Sequence, residues 1–201
     1  MKDLQSDKNE TIDQLAERCI VHVQKRFNLT LDYTAETLSL LDYYVKELVT
    51  EENRGTVPIP GDIVRLNLLP LFAPTLGAYF GETLKRIFGG RWRYTNREPQ
   101  YWRFEFDTFF VRLNPAGIAA NAIAEAPFEE WAGQIMSAPI LMPKLEERLN
   151  HAPQVAEDEL FSFSTAFELI QITGEYLKAL SEKTEPLDCS EKTYDSILQD
   201  R

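Results

Sequence analysis

The chain has 201 residues, 44% of them hydrophobic and 11% aromatic, and its 21 basic and 32 acidic side chains leave a net charge of -11. That is enough apolar material for one substantial core and roughly one domain, while no run approaches the ~20 apolar residues of a membrane span. Two cysteines, Cys19 and Cys189, exclude a disulfide framework and a thiolate metal site, and so acidic a chain repels nucleic acid at long range.

The polar opening MKDLQSDKNETIDQ lacks a basic-then-apolar leader pattern and predicts a cytoplasmic address. Charge is unevenly spread: residues 1–60 hold 7 basic and 11 acidic groups, 61–115 hold 8 and 5, and 116–201 hold 6 and 16. The C-terminal part is thus the acidic one, suited to a basic partner or to solubility alone.

Ile12, Leu15, Ala16, Cys19, Ile20, Val23 and Phe27 recur at helical spacing and predict a first helix over 10–27. A second is expected from Thr34 as its cap, with Leu38, Leu41, Val45 and Leu48 buried, and Glu51 to Gly61 reads as a loop. Leu76, Tyr79, Phe80, Leu84 and Phe88 predict a third helix over 76–88. Gly77 and Gly81 lie inside it, one turn apart, and their cost of about 1 kcal/mol each implies another element packed against the backbone. Gly89 and Gly90 follow the last apolar position and stop the helix. A phosphate cradle needs its glycines between a strand and a helix start, the reverse of this order.

After the glycines the period becomes alternating: Trp92, Tyr94, then Trp102, Phe104, Phe106, then Phe109, Val111, Leu113. A small antiparallel meander over about 91–113 follows, with Arg93, Arg103, Glu105 and Arg112 on its other face. Asn114-Pro115 opens a helix, Phe128 to Met136 keep helical period, and Pro127, Pro139 and Pro143 break this region into short pieces. A last helix is expected from Glu157-Asp158-Glu159 to about Leu180, with a broad apolar surface that includes Leu169, Ile172 and Tyr176. The fold class is α+β: a mostly helical single domain over 1–182 with a small β-meander, followed by a polar, mobile tail over 183–201.

Catalytic signals are sparse. His22 and His151 are the only histidines, no G-x-S-x-G occurs, and no short-spaced His/Cys/Asp/Glu set suggests a metal, so no metal and no cofactor are expected. Glu82 is a carboxylate that could project into a cleft, although Lys85 and Arg86 at three and four residues on favour an exposed helix pair.

Three stretches, LDYTAETLSLLDYYV (31–45), GAYFGETLKRIFGGRW (77–92) and VRLNPAGIAANAI (111–123), together resemble a loose group of uncharacterised bacterial domains. In that group an LDYS-x-x-SL helix precedes a GAYxGE helix, a GGxW strand and an NPxG helix; Thr34 and Thr37 stand here where serines are more usual. The resemblance covers about residues 10–125. Some domains of that kind lie near contact-dependent toxin systems as immunity proteins, which implies a protein partner.

Two functions follow. The first is a cytoplasmic protein-binding module, an immunity-type inhibitor whose acidic C-terminal half, with Glu157, Asp158 and Glu159, covers a basic partner protein. The second is an enzyme or small-molecule binder with a cleft between the 76–88 helix and the aromatic strands, in which Glu82, Arg91 and Tyr94 are the polar groups.

Overall fold

The computed structural model describes residues 10–53, 61–93, 95–182 and 186–198. Among these, seven α-helices surround one four-stranded antiparallel sheet, the mostly helical α+β domain that the changes of period predict.

Helix α1 (Ile12–Phe27) starts with a reciprocal cap: Gln14 N–H donates to the Thr11 hydroxyl at 3.3 Å and Thr11 N–H donates to the Gln14 side chain at 2.9 Å. Helix α2 (Leu38–Asn53) begins four residues after the expected Thr34 cap. Asp32 causes the delay. Its Oδ1 accepts from Thr34 N–H at 3.0 Å, from the Thr34 hydroxyl at 2.7 Å and from the Thr37 hydroxyl at 3.3 Å, a set of local bonds that competes with helix. Tyr33 adopts a left-handed φ of 64°, which turns its N–H toward the Tyr79 hydroxyl at 3.0 Å.

Helix α3 (Gly61–Phe88) is more than twice as long as the expected 76–88 helix. Pro70 and Pro74 lie inside it, each removing one i→i−4 bond. Pro70 is exposed and Pro74 half-buried, as are Leu66 and Leu71 exposed beside them, so the interruption falls on the outward side. The inward side, with Leu69, Ala73, Leu76 and Phe80, is the spine of the core and packs most extensively on α1 and on α4 (Pro115–Ala124). A Cβ on Gly77 would stand 2.5 Å from the Ala116 Cα, and one on Gly81 would overlap the Trp92 ring. Both glycines are therefore close-packing positions, as their cost in a helix implies.

Strands β1 (Arg91–Arg93), β2 (Arg103–Glu105) and β3 (Val111–Leu113) form the expected meander, and β4 (Met136–Ser137) adds an edge. The register pairs Trp92 with Phe104 and Phe104 with Leu113, which puts these three on one face against the core. Phe106 and Phe109 extend the aromatic layer, stacked at 4.5 Å between ring centres.

Other stretches also depart from the sequence reading. Residues 128–136 are a 3-10 turn (Glu129–Trp131) and then β4, not a helix. The Asn121 side chain accepts from Phe128 N–H at 2.8 Å and the Asn114 amide donates to the Trp131 carbonyl at 3.1 Å, which ties this segment to α4 and takes the groups a helix would use. The expected mobile tail is, over 186–198, a docked element. Helix α7 (Glu191–Ile197) covers the outer sheet face, and Tyr194 is fully buried. Its hydroxyl accepts from Val111 N–H at 2.9 Å and lies 2.8 to 3.2 Å from the carbonyls of Phe106, Phe109 and Val111. Its ring stacks on Phe110 at 4.2 Å.

Helix α5 (Met142–Leu149) packs on α6 (Phe163–Ser181). Glu157–Glu159 form a separate 3-10 turn instead of the first turn of α6. The caps of α6 are Ser162, whose hydroxyl accepts from Thr165 N–H at 3.0 Å, and Asp42 of α2, which accepts from Phe163 N–H at 2.6 Å and Ser164 N–H at 3.1 Å. A carboxylate from another helix does the work that 157–159 were expected to do.

Candidate functional site

The cleft expected between the 76–88 helix and the aromatic strands is closed. Trp92 fills the space above Gly81, packs edge-on against Trp102 and Phe104, and donates its indole N–H to Glu82 at 2.8 Å. Glu82 is only 6% exposed, and Lys85 reaches it at 3.5 Å. It is neither a free cleft carboxylate nor an exposed helix pair, but the acceptor that satisfies a buried indole.

Arg91 lies on the opposite face of β1 from Trp92, so the sheet separates it from Glu82. It is spent on the packing of α7: it donates to Glu105 at 3.1 Å, to Asp107 at 2.6 Å and to the Cys189 carbonyl at 2.7 Å. Burial pushes the Glu105 carboxyl upward, against the opposing pull of Arg93 and Arg91. Tyr94 falls outside the described residues. The second function therefore loses its cleft.

Other reactive residue types are equally engaged. Cys19 is buried in the α1 core stripe, and burial pushes its thiol far above the ordinary range. The ring Nδ1 of His151 is bonded to the Glu147 carbonyl at 2.7 Å. Among the described residues no three His, Cys, Asp or Glu side chains group so as to hold a metal ion.

An open groove of about 800 Å3 lies elsewhere, between α2, α6 and the 152–159 connection. From α2, Ser39, Tyr43 and Lys46 face it at helical spacing; from α6, Glu168, Leu169, Ile172 and Glu175 do; Val155 and Glu159 close one end. Leu169 and Ile172 are half-buried and Tyr43 is 48% exposed, which leaves apolar surface on both walls. Glu168 and Glu175 are two turns apart on one side of α6 and exposed.

Among the described residues Lys46 is the only cation lining the groove, and its ammonium lies 3.6 Å from Asp158. Among the described residues Glu159, Glu168 and Glu175 have no ion pair, and Glu175 accepts only from Gln171 at 2.9 Å. The floor is Asp42, whose carboxyl burial pushes upward while its bonds from Ser164 and Phe163 pull the other way. Asp42 thus ties the first turn of α6 to α2.

Of the sequence candidates, Glu159 lines this groove, while Glu157 and Asp158 line a small hollow beside it, next to Phe161. The sequence reading missed Tyr43, Glu168 and Glu175. The available signal was the width of the apolar surface on α6: Phe163, Phe167, Ile170 and Leu177 already form a full buried stripe, so Leu169 and Ile172 had to belong to a second. A scan against family models, a search of curated proteins and a search of solved structures give no match to this chain.

Proposed function

We propose that this protein is a cytoplasmic protein-binding module, an immunity-type inhibitor of a basic partner, and that it engages the partner through the groove between α2 and α6. The observation that carries the reading is the composition of that groove: three carboxylates without an ion pair among the described residues, Glu159, Glu168 and Glu175, against one ammonium that is already paired, around exposed apolar surface. Such a surface meets a cationic one with complementary potential, and carboxylates without a fixed partner cost little to desolvate only when a cation replaces the water. The charge of residues 116–201, 6 basic against 16 acidic groups, extends the same sign around it. No helix of the described residues is long and apolar enough to cross a membrane.

The test is kinetic. A partner recovered from the source cells, purified and rebound to the protein across a salt series should associate more slowly as salt rises, because charge steering is screened over ~10 Å at 0.1 M. Neutralising Glu157, Asp158 and Glu159 together should slow association and leave the melting temperature nearly unchanged. An association rate that is the same at low and high salt rejects the electrostatic reading.

A further inference from the structure

Resting on the protein-binding reading, the geometry points to one kind of occupant: we infer that the groove receives an amphipathic helix of the partner, with an apolar stripe flanked by lysines or arginines. The walls are two helices. Along α6 the half-buried Leu169 and Ile172 are three residues apart, and the exposed Glu168 and Glu175 frame them at a seven-residue interval. Along α2, Ser39, Tyr43 and Lys46 repeat at four and three. Both lines thus follow the 3.6-residue period, and a third helix laid between them meets apolar positions at i, i+3 and i+4 with acidic ones outside.

An extended strand fits the same surface less well. Its side chains alternate at a period of two, and the backbone groups of the two helical walls are bonded within α2 and α6, so a strand could pair only with the short 153–156 stretch at the rim. A small anion is disfavoured by the carboxylates. The charge pattern also sets the flanks of the incoming helix. Lys46 is held by Asp158 on the α2 side, so the cations of the partner belong on the α6 side, opposite Glu168 and Glu175, with one more near Glu159. Tyr43 offers its ring face to an apolar or cationic side chain.

The experiment uses the full chain and a labelled designed peptide of about 18 residues, roughly 27 Å as a helix, with a leucine stripe flanked by lysines. Two controls have the same length: one of the same composition scrambled so that no stripe forms, and one with a central proline in place of a leucine. Fluorescence anisotropy should show binding of the striped peptide only, with a gain of helical circular dichroism in the complex. Ile172→Asp, and separately Glu168→Lys with Glu175→Lys, should each weaken binding roughly tenfold or more. Glu168 and Glu175 are exposed and Ile172 is half-buried in the groove wall, and thermal melts of the variants check that each remains folded.

Equal binding of the proline or scrambled peptide overturns the helical occupant. Unchanged affinity of the folded Ile172→Asp variant overturns the location. A second copy of the chain as occupant would appear as a concentration-dependent dimer in ultracentrifugation and would also overturn the inference. A partner that binds in the groove through a non-helical segment leaves the protein-binding reading standing and removes this one. A peptide that binds as described, with no salt-sensitive partner in the cell, does the opposite.

Discussion

The Trp92 indole sits where a side chain at position 81 would have to go, and this contact decides what the GAYFGE stretch is for. Its residues divide between packing and hydrogen bonding: Gly77 admits the backbone of α4, the Tyr79 hydroxyl accepts Tyr33 N–H and meets the Thr37 hydroxyl at 2.9 Å, and Glu82 accepts from Trp92. Gly81→Leu should destabilise the protein by about 3 kcal/mol, since the rigid ring cannot yield to the new side chain. Glu17→Ala, an exposed change on α1, should stay within about 0.5 kcal/mol. Urea melts of both variants check this, and equal midpoints would mean that the face above Gly81 is open. The close approach at Gly77 and Gly81 was legible because glycine in a helix interior is costly. The role of Glu82 was not, because its partner is ten residues away across a turn and the nearer Lys85 and Arg86 offer an easier pairing.

The elements show the same division between local and distant causes. Helix α1 is where its stripe and capping box place it, whereas α2 starts late because of Asp32, and α6 is capped by Asp42, 121 residues from Phe163 in sequence. Periodicity reports a buried face, not which distant carboxylate will satisfy a helix end. Helix α7 was illegible for a related reason: a seven-residue helix has little stripe to read, and its attachment depends on one tyrosine and on arginines of the sheet. Tyr194→Phe should cost about 1 kcal/mol, because it removes the buried hydroxyl that bonds β3 and the Phe106 and Phe109 carbonyls to α7, while Val111 N–H keeps the Phe109 carbonyl at 2.8 Å. Hydrogen exchange over 191–197 should accelerate more than exchange in α3, since Tyr194, Phe110, Ala138 and Leu198 form an apolar cluster of their own.

Asp42 also makes stability depend on pH. Its carboxyl pKa is raised in the folded state by burial, so the folded chain keeps a proton where the unfolded chain has lost it. The contribution is fully present below the unfolded value, near 4, and is lost as pH rises through the higher folded value. The stability of the wild type relative to Asp42→Asn should therefore fall between about pH 4 and the upper end of that window, as read from urea midpoints at each pH. A difference that rises with pH would contradict the assigned direction.

At the scale of the molecule, acidic charge and helical walls converge on one open surface, while the aromatic strands are closed within the core and beneath α7. The acidity of the C-terminal part was plain in the sequence. Its pairing with α2 into a groove was not, because only the fold brings Tyr43 opposite Ile172. Site-specific photocrosslinking in the source cells tests whether a partner protein occupies this groove. A photoactivatable residue is placed at Tyr43 or at Ile172 in the groove, and at Tyr101, which is 48% exposed outside it, as the control. A groove-bound partner gives one covalent adduct with the same basic protein from both groove positions and none from Tyr101; an adduct from Tyr101 with none from Tyr43 or Ile172 rules out the groove as its site.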